Sequence, residues 1–217
     1  MPEQKTAKIK KKIWYQIIAP KLFNEQPLGE TIVYDPQEMV GKSLSVNLMV
    51  LTNDIKKQNI NVTFKVDKLE GSKGRTSMVG YDIVPSSVKR LVRRSRDKID
   101  LSFVCKTADN ALIRVKPVLI TKANAKGSVL TKIRVKCIEL CTRSIAKLDY
   151  EKFLEEILSH HLQESLIGDL KKIYPLKTLE IRSMEIVPSD RKVRVEKVRE
   201  EIKEAPAEPA EEASVAA

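Results

Sequence analysis

The sequence predicts an α+β domain in which an antiparallel, β-barrel-like sheet is flanked by helices. Short β-branched or alternating runs, separated by turn residues, fill the segment from Glu30 to Thr121, and helical periodicity begins at Val129. The ends differ from this middle, since five lysines crowd the first twelve residues and the last residues are "APAEPAEEASVAA". We therefore expect a flexible basic arm over residues 1–12, one globular domain over 13–188, and a charged linker with a disordered acidic tail over 189–217.

Turn sequences divide the first half of the domain into strands. "DPQEMVG", "TNDIKKQN" and "EGSKG" have the composition of turns, and the runs between them are β-branched or alternate between apolar and polar residues. The predicted strands are "TIVY", "SLSVNLMVL", "INVTFKV" and "TSMVGYDIV". After these, "DLSFVCKT" and "ALIRVKPVLIT" are predicted to form a hairpin across "ADN".

Helical periodicity appears in several segments. A helix is predicted over "SSVKRLVRRSRDKI", begun by Ser86 or Ser87, with one apolar face formed by Val88, Leu91, Val92 and Ile99. From Val129 a longer helix buries Leu130, Ile133, Cys137, Cys141, Ile145 and Leu148. Asp149 can cap the next helix, "YEKFLEEILSHHL", and "LIGDLKKIY" adds a further turn or two before Pro175. "LKTLEIRSMEIV" is a last alternating strand.

The composition argues against membrane, secreted and enzymatic classes. No apolar run is long enough to cross a bilayer and no signal peptide opens the chain, so we expect a cytoplasmic protein. Three widely placed cysteines do not suggest a disulfide framework. The seven glycines form no phosphate-binding spacing, and we expect no enzyme activity, no cofactor and no metal site. Cys137 and Cys141 are predicted to be buried apolar residues, and His160 and His161 a surface or helix-junction feature.

The charge of the chain predicts a polyanionic partner. The formal net charge is +11, and residues 196–217 contain seven glutamates against three basic residues, so residues 1–195 carry +15. A folded domain of this charge repels itself unless it binds a polyanion, and nucleic acid is the commonest one. The alternative is a basic surface that serves only solubility.

Basic residues concentrate on the predicted helix over 86–99, where only Asp97 opposes them. Arginine binds phosphate oxygens bidentately, and the segment lacks Asn or Gln to read base edges, so recognition of the RNA backbone and shape is expected. The full set of candidate RNA-binding residues is Lys5, Lys8, Lys10, Lys11, Lys12, Trp14, Tyr15, Lys21, Lys89, Arg90, Arg93, Arg94, Arg96, Lys98, Arg114, Lys132, Arg134, Lys136 and Arg143.

The aromatic pair Trp14–Tyr15 follows the lysines of the arm directly. These rings could stack on an RNA base, or they could anchor the arm in the core. The two roles are compatible with an arm that neutralises phosphates, because an anchored aromatic residue fixes the point from which the lysines reach.

Five motifs in register over residues 8–188 resemble one protein family. They are "WYQIIAPKLF", "GKSLSVNLMVLTND", "VPSSVKRLVRRSRDKID", "KTADNALIRVKPVLIT" and "KKIYPLKTLEIRSMEIV". Together they resemble the archaeal and eukaryotic small-subunit ribosomal protein family S-three-Ae (e-S-one in universal naming), and the short chain is similar to its archaeal members. One departure is the hairpin turn, where the family's glycine is replaced by Asn110.

The resemblance implies a structural ribosomal protein with a β-barrel core flanked by helices. It further implies a position on the platform of the small subunit, near the mRNA exit and the 3′ end of the small-subunit rRNA. The implied partners are rRNA, neighbouring platform proteins and mRNA near the exit, with no membrane and no homo-oligomer. Two alternatives stay open at this point: a free-standing RNA-binding translation or processing factor, and an RNA-modifying enzyme, which would need a cofactor pocket.

Overall fold

The computed structural model describes residues 12–187 of the 217-residue chain. The predicted basic arm, except Lys12, and the predicted linker and acidic tail over 189–217 lie outside the described residues. The strands are β1 (Ile13–Ile18), β2 (Pro27–Val33), β3 (Ser43–Asn47), β4 (Ile60–Glu70), β5 (Lys73–Ile83), β6 (Lys98–Asp100), β7 (Phe103–Lys106), β8 (Leu112–Thr121) and β9 (Leu176–Ile186). The α-helices are α1 (Leu48–Thr52), α2 (Pro85–Leu91), α3 (Gly127–Ile145), α4 (Tyr150–Leu158) and α5 (His161–Leu170).

The nine strands form one mixed sheet. Its main path runs β2-β1-β5-β9-β8-β6, while β4 pairs with β5, β3 with β4, and β7 with β8. All these pairs are antiparallel except β1 and β5, which run parallel. The predicted α+β class and the hairpin of β7 and β8 are therefore confirmed.

The prediction of an antiparallel, barrel-like sheet is wrong in two respects, because one strand pair is parallel and the sheet is not closed. Strand β1 lies beside only residues 73–75 of β5, and β9 pairs with residues 80–82 of the same strand. Three strands separate β1 from β5 in the chain, which is the long connection that parallel pairing needs. Within the described residues β2 pairs only with β1 and β6 only with β8, so the ends of the path do not meet.

The prediction of a helix over residues 86–99 is also wrong, because the observed helix is shorter. Helix α2 already begins at Pro85, with Val84 at the N-cap position and no side-chain capping hydrogen bond, so the predicted cap at Ser86 or Ser87 is wrong. The helix ends at Leu91, and Val92 is already extended. A continuous helix would have placed like charges four residues apart at Lys89 and Arg93, which is destabilising. The apolar residue at the far end, Ile99, is instead buried on strand β6.

Polar residues interrupt two other predicted elements. The strand "SLSVNLMVL" stops at Asn47, whose side chain accepts a hydrogen bond from the backbone N–H of Met49 at 2.9 Å and so begins α1. The helix "YEKFLEEILSHHL" is divided into α4 and α5 at His160, which has φ 63°. Asp149 occupies the N-cap position of α4 but makes no capping hydrogen bond, contrary to expectation.

The sheet and the three longer helices enclose the main core. Helix α3 contributes the face that its periodicity predicts, and its fully buried residues are Ile133, Cys137, Cys141 and Ile145. A second, smaller apolar cluster lies near β1 and β2 and contains Tyr15, Ile17, Val33, Met39 and Val66. Over residues 12–187 there is no helix with the length and apolarity needed to span a membrane.

Candidate nucleic-acid interface

The loop that follows α2 presents the most basic stretch of the described chain. Arg93 and Arg94 are exposed, and the chain reverses at Ser95, which has φ 61°. Arg96 is half-buried, and its Nη1 atom is buried without a hydrogen-bond partner in the structure. Because α2 ends early, the three arginines that were predicted on a helix lie in a loop instead.

Asp97 is the one acidic residue of this segment, and its groups are used inside the protein. Its backbone N–H donates to Thr121 Oγ1 at 2.9 Å, and its Oδ2 accepts a hydrogen bond from the backbone N–H of Ala125 at 2.7 Å. The carboxylate thereby holds the loop over 122–126 against the arginine loop. Because it is directed to this loop, it forms no ion pair within 4 Å of the arginines beside it.

A third segment joins these two loops at the start of β9. The backbone N–H of Lys122 donates to the carbonyl oxygen of Pro175 at 3.1 Å, and the Tyr174 hydroxyl donates to the carbonyl oxygen of Asn124 at 3.1 Å. Lys177 follows on β9 and is exposed. Three segments that are distant in the sequence thus lie side by side.

The charges on these segments repel one another. The pKa of Lys177 is lowered by partial desolvation and then by the positive charges of Arg96 and Arg93. Within residues 12–187, no carboxylate lies within 4 Å of the side-chain nitrogens of these three residues or of Arg94. We call the surface formed by Arg93, Arg94, Arg96, Lys122, Lys126 and Lys177 the basic surface. Within the described residues, none of these six cations forms an ion pair within 4 Å.

Helix α3 begins beside the basic surface. Its first turn, from Gly127, contains no acidic residue, and the N-cap residue Lys126 provides no side-chain hydrogen bond. The positive end of the helix dipole therefore adds to the attraction for an anion at this place.

Lys177 is one of three residues of the basic surface that sequence reasoning missed. It belongs to an alternating strand eighty residues beyond the arginine loop, so nothing in its local pattern links it to those arginines. The only available signal was its position as a polar, outward residue of the strand "LKTLEI". Lys122 and Lys126 were missed for the same reason, because they lie in a connection whose place is set by Asp97.

Other predicted residues carry charges that are partly balanced. Lys136 Nζ and Arg143 Nη2 contact the two oxygens of Glu139 at 2.9 and 3.1 Å, and the hydrogen bond from Lys136 chiefly lowers the pKa of that carboxyl. Lys98 Nζ lies 2.7 Å from Asp100 Oδ2. These basic residues are less available to phosphate than the basic surface.

The remaining candidates are spread over several elements. Lys89 and Arg90 are exposed in the last turn of α2, Lys132 and Arg134 are exposed on α3, and Lys21 is exposed in a short 3-10 helix. Arg114 is half-buried on β8 opposite Glu185 of β9. Lys5, Lys8, Lys10 and Lys11 lie outside the described residues.

Strand β1 gives its two aromatic residues opposite environments. Tyr15 is 6% exposed and packs in the smaller apolar cluster, whereas Trp14 is 62% exposed. The alternation of a strand requires this separation, because successive side chains point to opposite faces. Tyr15 is thus buried in the core, and the indole of Trp14 remains at the surface.

The three cysteines are buried in the core, and His160 lies at the junction of α4 and α5. Cys137 Sγ and Cys141 Sγ lie 3.9 Å apart in the core, and His160 Nδ1 is 3.9 Å from Glu180 Oε2 at the junction of α4 and α5. In residues 12–187 no group of three or more potential metal ligands occurs. A cleft of about 650 Å³ beside the start of α4 contains Arg75, which pairs with Glu70 at 2.8 Å.

Comparisons with known proteins place the chain in a family. The model of the ribosomal S3Ae family matches residues 2–189. The chain is 37% identical over 190 residues to small ribosomal subunit protein eS1 of Nanoarchaeum equitans, covering 88% of this chain and 96% of the relative. It is 31% identical over 185 residues to the protein of the same name from Methanothrix thermoacetophila, covering 85% and 88% respectively. The chain therefore belongs to the ribosomal S3Ae family, whose members are structural components of the ribosome rather than enzymes.

Proposed function

We propose that this protein is a structural constituent of the small ribosomal subunit and that its basic surface binds the rRNA backbone. The observation that carries the proposal is that hydrogen bonds hold together the segments of Arg93, Arg96 and Lys177, whose side-chain nitrogens have no carboxylate within 4 Å in the described chain. A guanidinium can bond two phosphate oxygens at once, and the exchange of self-repulsion for phosphate contacts favours binding. The phosphates that the basic surface contacts would be those of the rRNA in the small subunit.

Backbone recognition suits the geometry of folded RNA. The major groove of an A-form helix is too deep and narrow for side chains to read, whereas its phosphates are accessible. The six residues of the basic surface are all arginine or lysine, and the arginine loop over 93–96 contains no Asn or Gln. Its binding should therefore depend on RNA shape and on salt more than on base sequence.

The position that we propose within the subunit is the platform, near the mRNA exit and the 3′ end of the small-subunit rRNA. The family resemblance supports this position, as do the relatives, which bear the name of a small-subunit protein. The partners would be rRNA, neighbouring platform proteins, and mRNA near the exit.

A charge-reversal variant tests the RNA contact. Changing Arg93→Glu and Arg94→Glu leaves the buried residues untouched, so the free energy of unfolding should change by less than about 1 kcal/mol. Affinity for small-subunit rRNA should fall by more than about tenfold, because each charge-assisted contact contributes roughly 1.5–3 kcal/mol. The control, Lys65→Glu with Lys68→Glu, makes the same change in net charge on exposed positions of β4. Equal losses in the two variants would mean that net charge alone decides binding.

A tethered cleavage reagent tests the position. The three native cysteines are buried, so Ser128→Cys at the exposed start of α3 offers one reactive thiol among the described residues. A hydroxyl-radical source attached there should cut small-subunit rRNA close to its 3′ end after incorporation. Cuts confined to other regions would contradict the platform position, and loss of the protein from subunits in a high-salt wash would favour a free-standing factor.

A further inference from the structure

A second exposed surface lies on the outer face of β1 and β2, away from the basic surface in the sequence. Trp14 of β1 is directly opposite Ile32 of β2, and these side chains are 62% and 41% exposed. Tyr34, just after β2, is 47% exposed, and Lys12 Nζ lies 5.1 Å from the centre of its ring. We call Lys12, Trp14, Ile32 and Tyr34 the aromatic patch.

The aromatic patch is exposed because it lies on the outer face of β1 and β2. The opposite face of the same two strands supplies Tyr15, Ile17 and Val33 to the smaller apolar cluster, so the strands already bury their inner face. An indole left outward on such a strand contributes little to the core. Lys12 covers the ring of Tyr34 and leaves the indole of Trp14 as the open aromatic surface.

We propose that the indole of Trp14 stacks on an unpaired RNA base. Every base has a flat π-surface, and stacking on exposed aromatic side chains beside cations is how proteins bind single-stranded nucleic acid. This inference rests on the RNA binding proposed above, but it concerns a different surface and a different form of RNA.

Charge favours a nucleic acid over a protein at the aromatic patch. Lys12 belongs to the patch, Lys73 is the neighbour of Gln16 across the β1–β5 pair, and four more lysines precede Lys12 in the sequence. The nearest carboxylate along the ladder, Glu30, accepts a hydrogen bond from the Gln16 side-chain amide at 3.3 Å. Cations near an open ring suit a base with its attached phosphates.

The size of the aromatic patch also favours a nucleotide over a protein. Two half-exposed aromatic rings offer on the order of 200 Å², whereas a stable protein interface buries about 800 Å² on each partner. One base, by contrast, is matched by a single indole. The aromatic patch is therefore large enough for a stacked nucleotide and too small to hold a protein by itself.

The chain contains one tryptophan, so its fluorescence reports on Trp14 alone. The full chain is titrated with a short single-stranded oligoadenylate and, separately, with an RNA duplex of the same length. Stacking should quench the fluorescence strongly with the single strand and little with the duplex. Equal quenching by both, or binding of the single strand without quenching, would overturn the proposal.

Substitutions separate stacking from apolar contact. With a labelled single strand followed by anisotropy, Trp14→Leu should weaken binding roughly 5- to 150-fold, whereas Trp14→Phe should retain most of the affinity. The control is Ile13→Ala, which removes the neighbouring exposed apolar side chain from the opposite face. Circular dichroism and thermal melts show whether each variant folds, and the exposure of Trp14 predicts that all of them do.

The outcomes also separate this inference from the proposed function. Binding of the duplex with the usual salt dependence, together with an unchanged single-strand affinity in Trp14→Leu, would overturn the stacking role alone. If the parent chain bound neither form of RNA, both the proposed function and this inference would fail.

Discussion

At the scale of single residues, Glu180 is a carboxylate whose surroundings disfavour its charge. It lies on β9 with its side chain 26% exposed, and burial raises its pKa to about 6. His160 is 3.9 Å away but does not compensate near neutral pH, because desolvation and then Lys57 lower the pKa of this imidazole, against the opposing effect of Glu164. The charged form of Glu180 is therefore a cost to the folded protein at neutral pH.

Replacement of Glu180 should stabilise the protein in a pH-dependent way. The pKa is higher in the folded state than the ordinary value of 4.5, so the folded protein binds the proton more tightly. The contribution of protonated Glu180 to the free energy of unfolding is fully present below about pH 4.5 and is lost as the pH rises through about 6. Glu180→Gln should thus raise the free energy of unfolding by about 1–2 kcal/mol at pH 7 and by little at pH 4.

Urea unfolding at the two pH values checks this prediction. The matched control is Glu185→Gln, which changes an exposed carboxylate of the same strand that pairs with Lys116 at 3.2 Å. Its effect should be a loss of no more than about 1 kcal/mol. A stabilisation by Glu180→Gln of equal size at both pH values would show that packing, not charge, is responsible.

At the scale of elements, the start of α4 is stabilised by a residue from the β7–β8 hairpin. Asp109 Oδ2 accepts a hydrogen bond from the backbone N–H of Tyr150 at 2.9 Å, and the backbone N–H of Ala108 donates to the carbonyl oxygen of Leu148. Asp149, the residue at the N-cap position, instead contacts Lys152 Nζ at 3.1 Å. The hairpin turn and the helix start therefore form one unit.

Two alanine substitutions distinguish these roles. Asp109→Ala should lower the free energy of unfolding by about 1 kcal/mol, the usual cost of a lost cap, and Asp109→Asn by a few tenths, because the amide oxygen still accepts. Asp149→Ala removes only an exposed ion pair and should cost less than about 0.5 kcal/mol. Thermal or chemical unfolding measures all three, and a larger loss from Asp149→Ala would restore the local cap as the important one.

At the scale of the whole molecule, charge is divided between a basic body and an acidic end. Residues 1–195 carry +15 of formal charge and residues 196–217 carry −4. A chain that ends after Val195 loses groups that phosphate repels, so its RNA affinity should be unchanged or rise by up to about tenfold at low salt. Salt should remove the difference.

Filter binding of the full and shortened chains over a salt series tests that expectation. Incorporation into small subunits should be equal for the two chains. A shortened chain that keeps its thermal melt but loses RNA affinity or incorporation would show that residues 196–217 bind a partner.

Local patterns by themselves determined much of this protein. The period of α3 placed Ile133, Cys137 and Cys141 in the core, the turn "ADN" marked the β7–β8 hairpin, and Asn110 there adopts φ 61°, a conformation that asparagine tolerates. The exposure of Arg93 and Arg94 was also predicted, although on a helix that ends earlier. These features depend on residues close in the chain, whose periodicity is visible in the sequence.

Only the tertiary structure decided which distant residues meet. Lys177 joins Arg93 and Arg96 because β9 returns beside the arginine loop, and Asp109 replaces Asp149 as the cap because the hairpin docks on α4. The pairing of β1 with β5 is parallel, and the ends of the sheet at β2 and β6 do not meet within the described residues, so the sheet is mixed and open. Each of these outcomes depends on backbone hydrogen bonds and packing between segments separated by tens of residues, and such contacts leave no period in the local sequence.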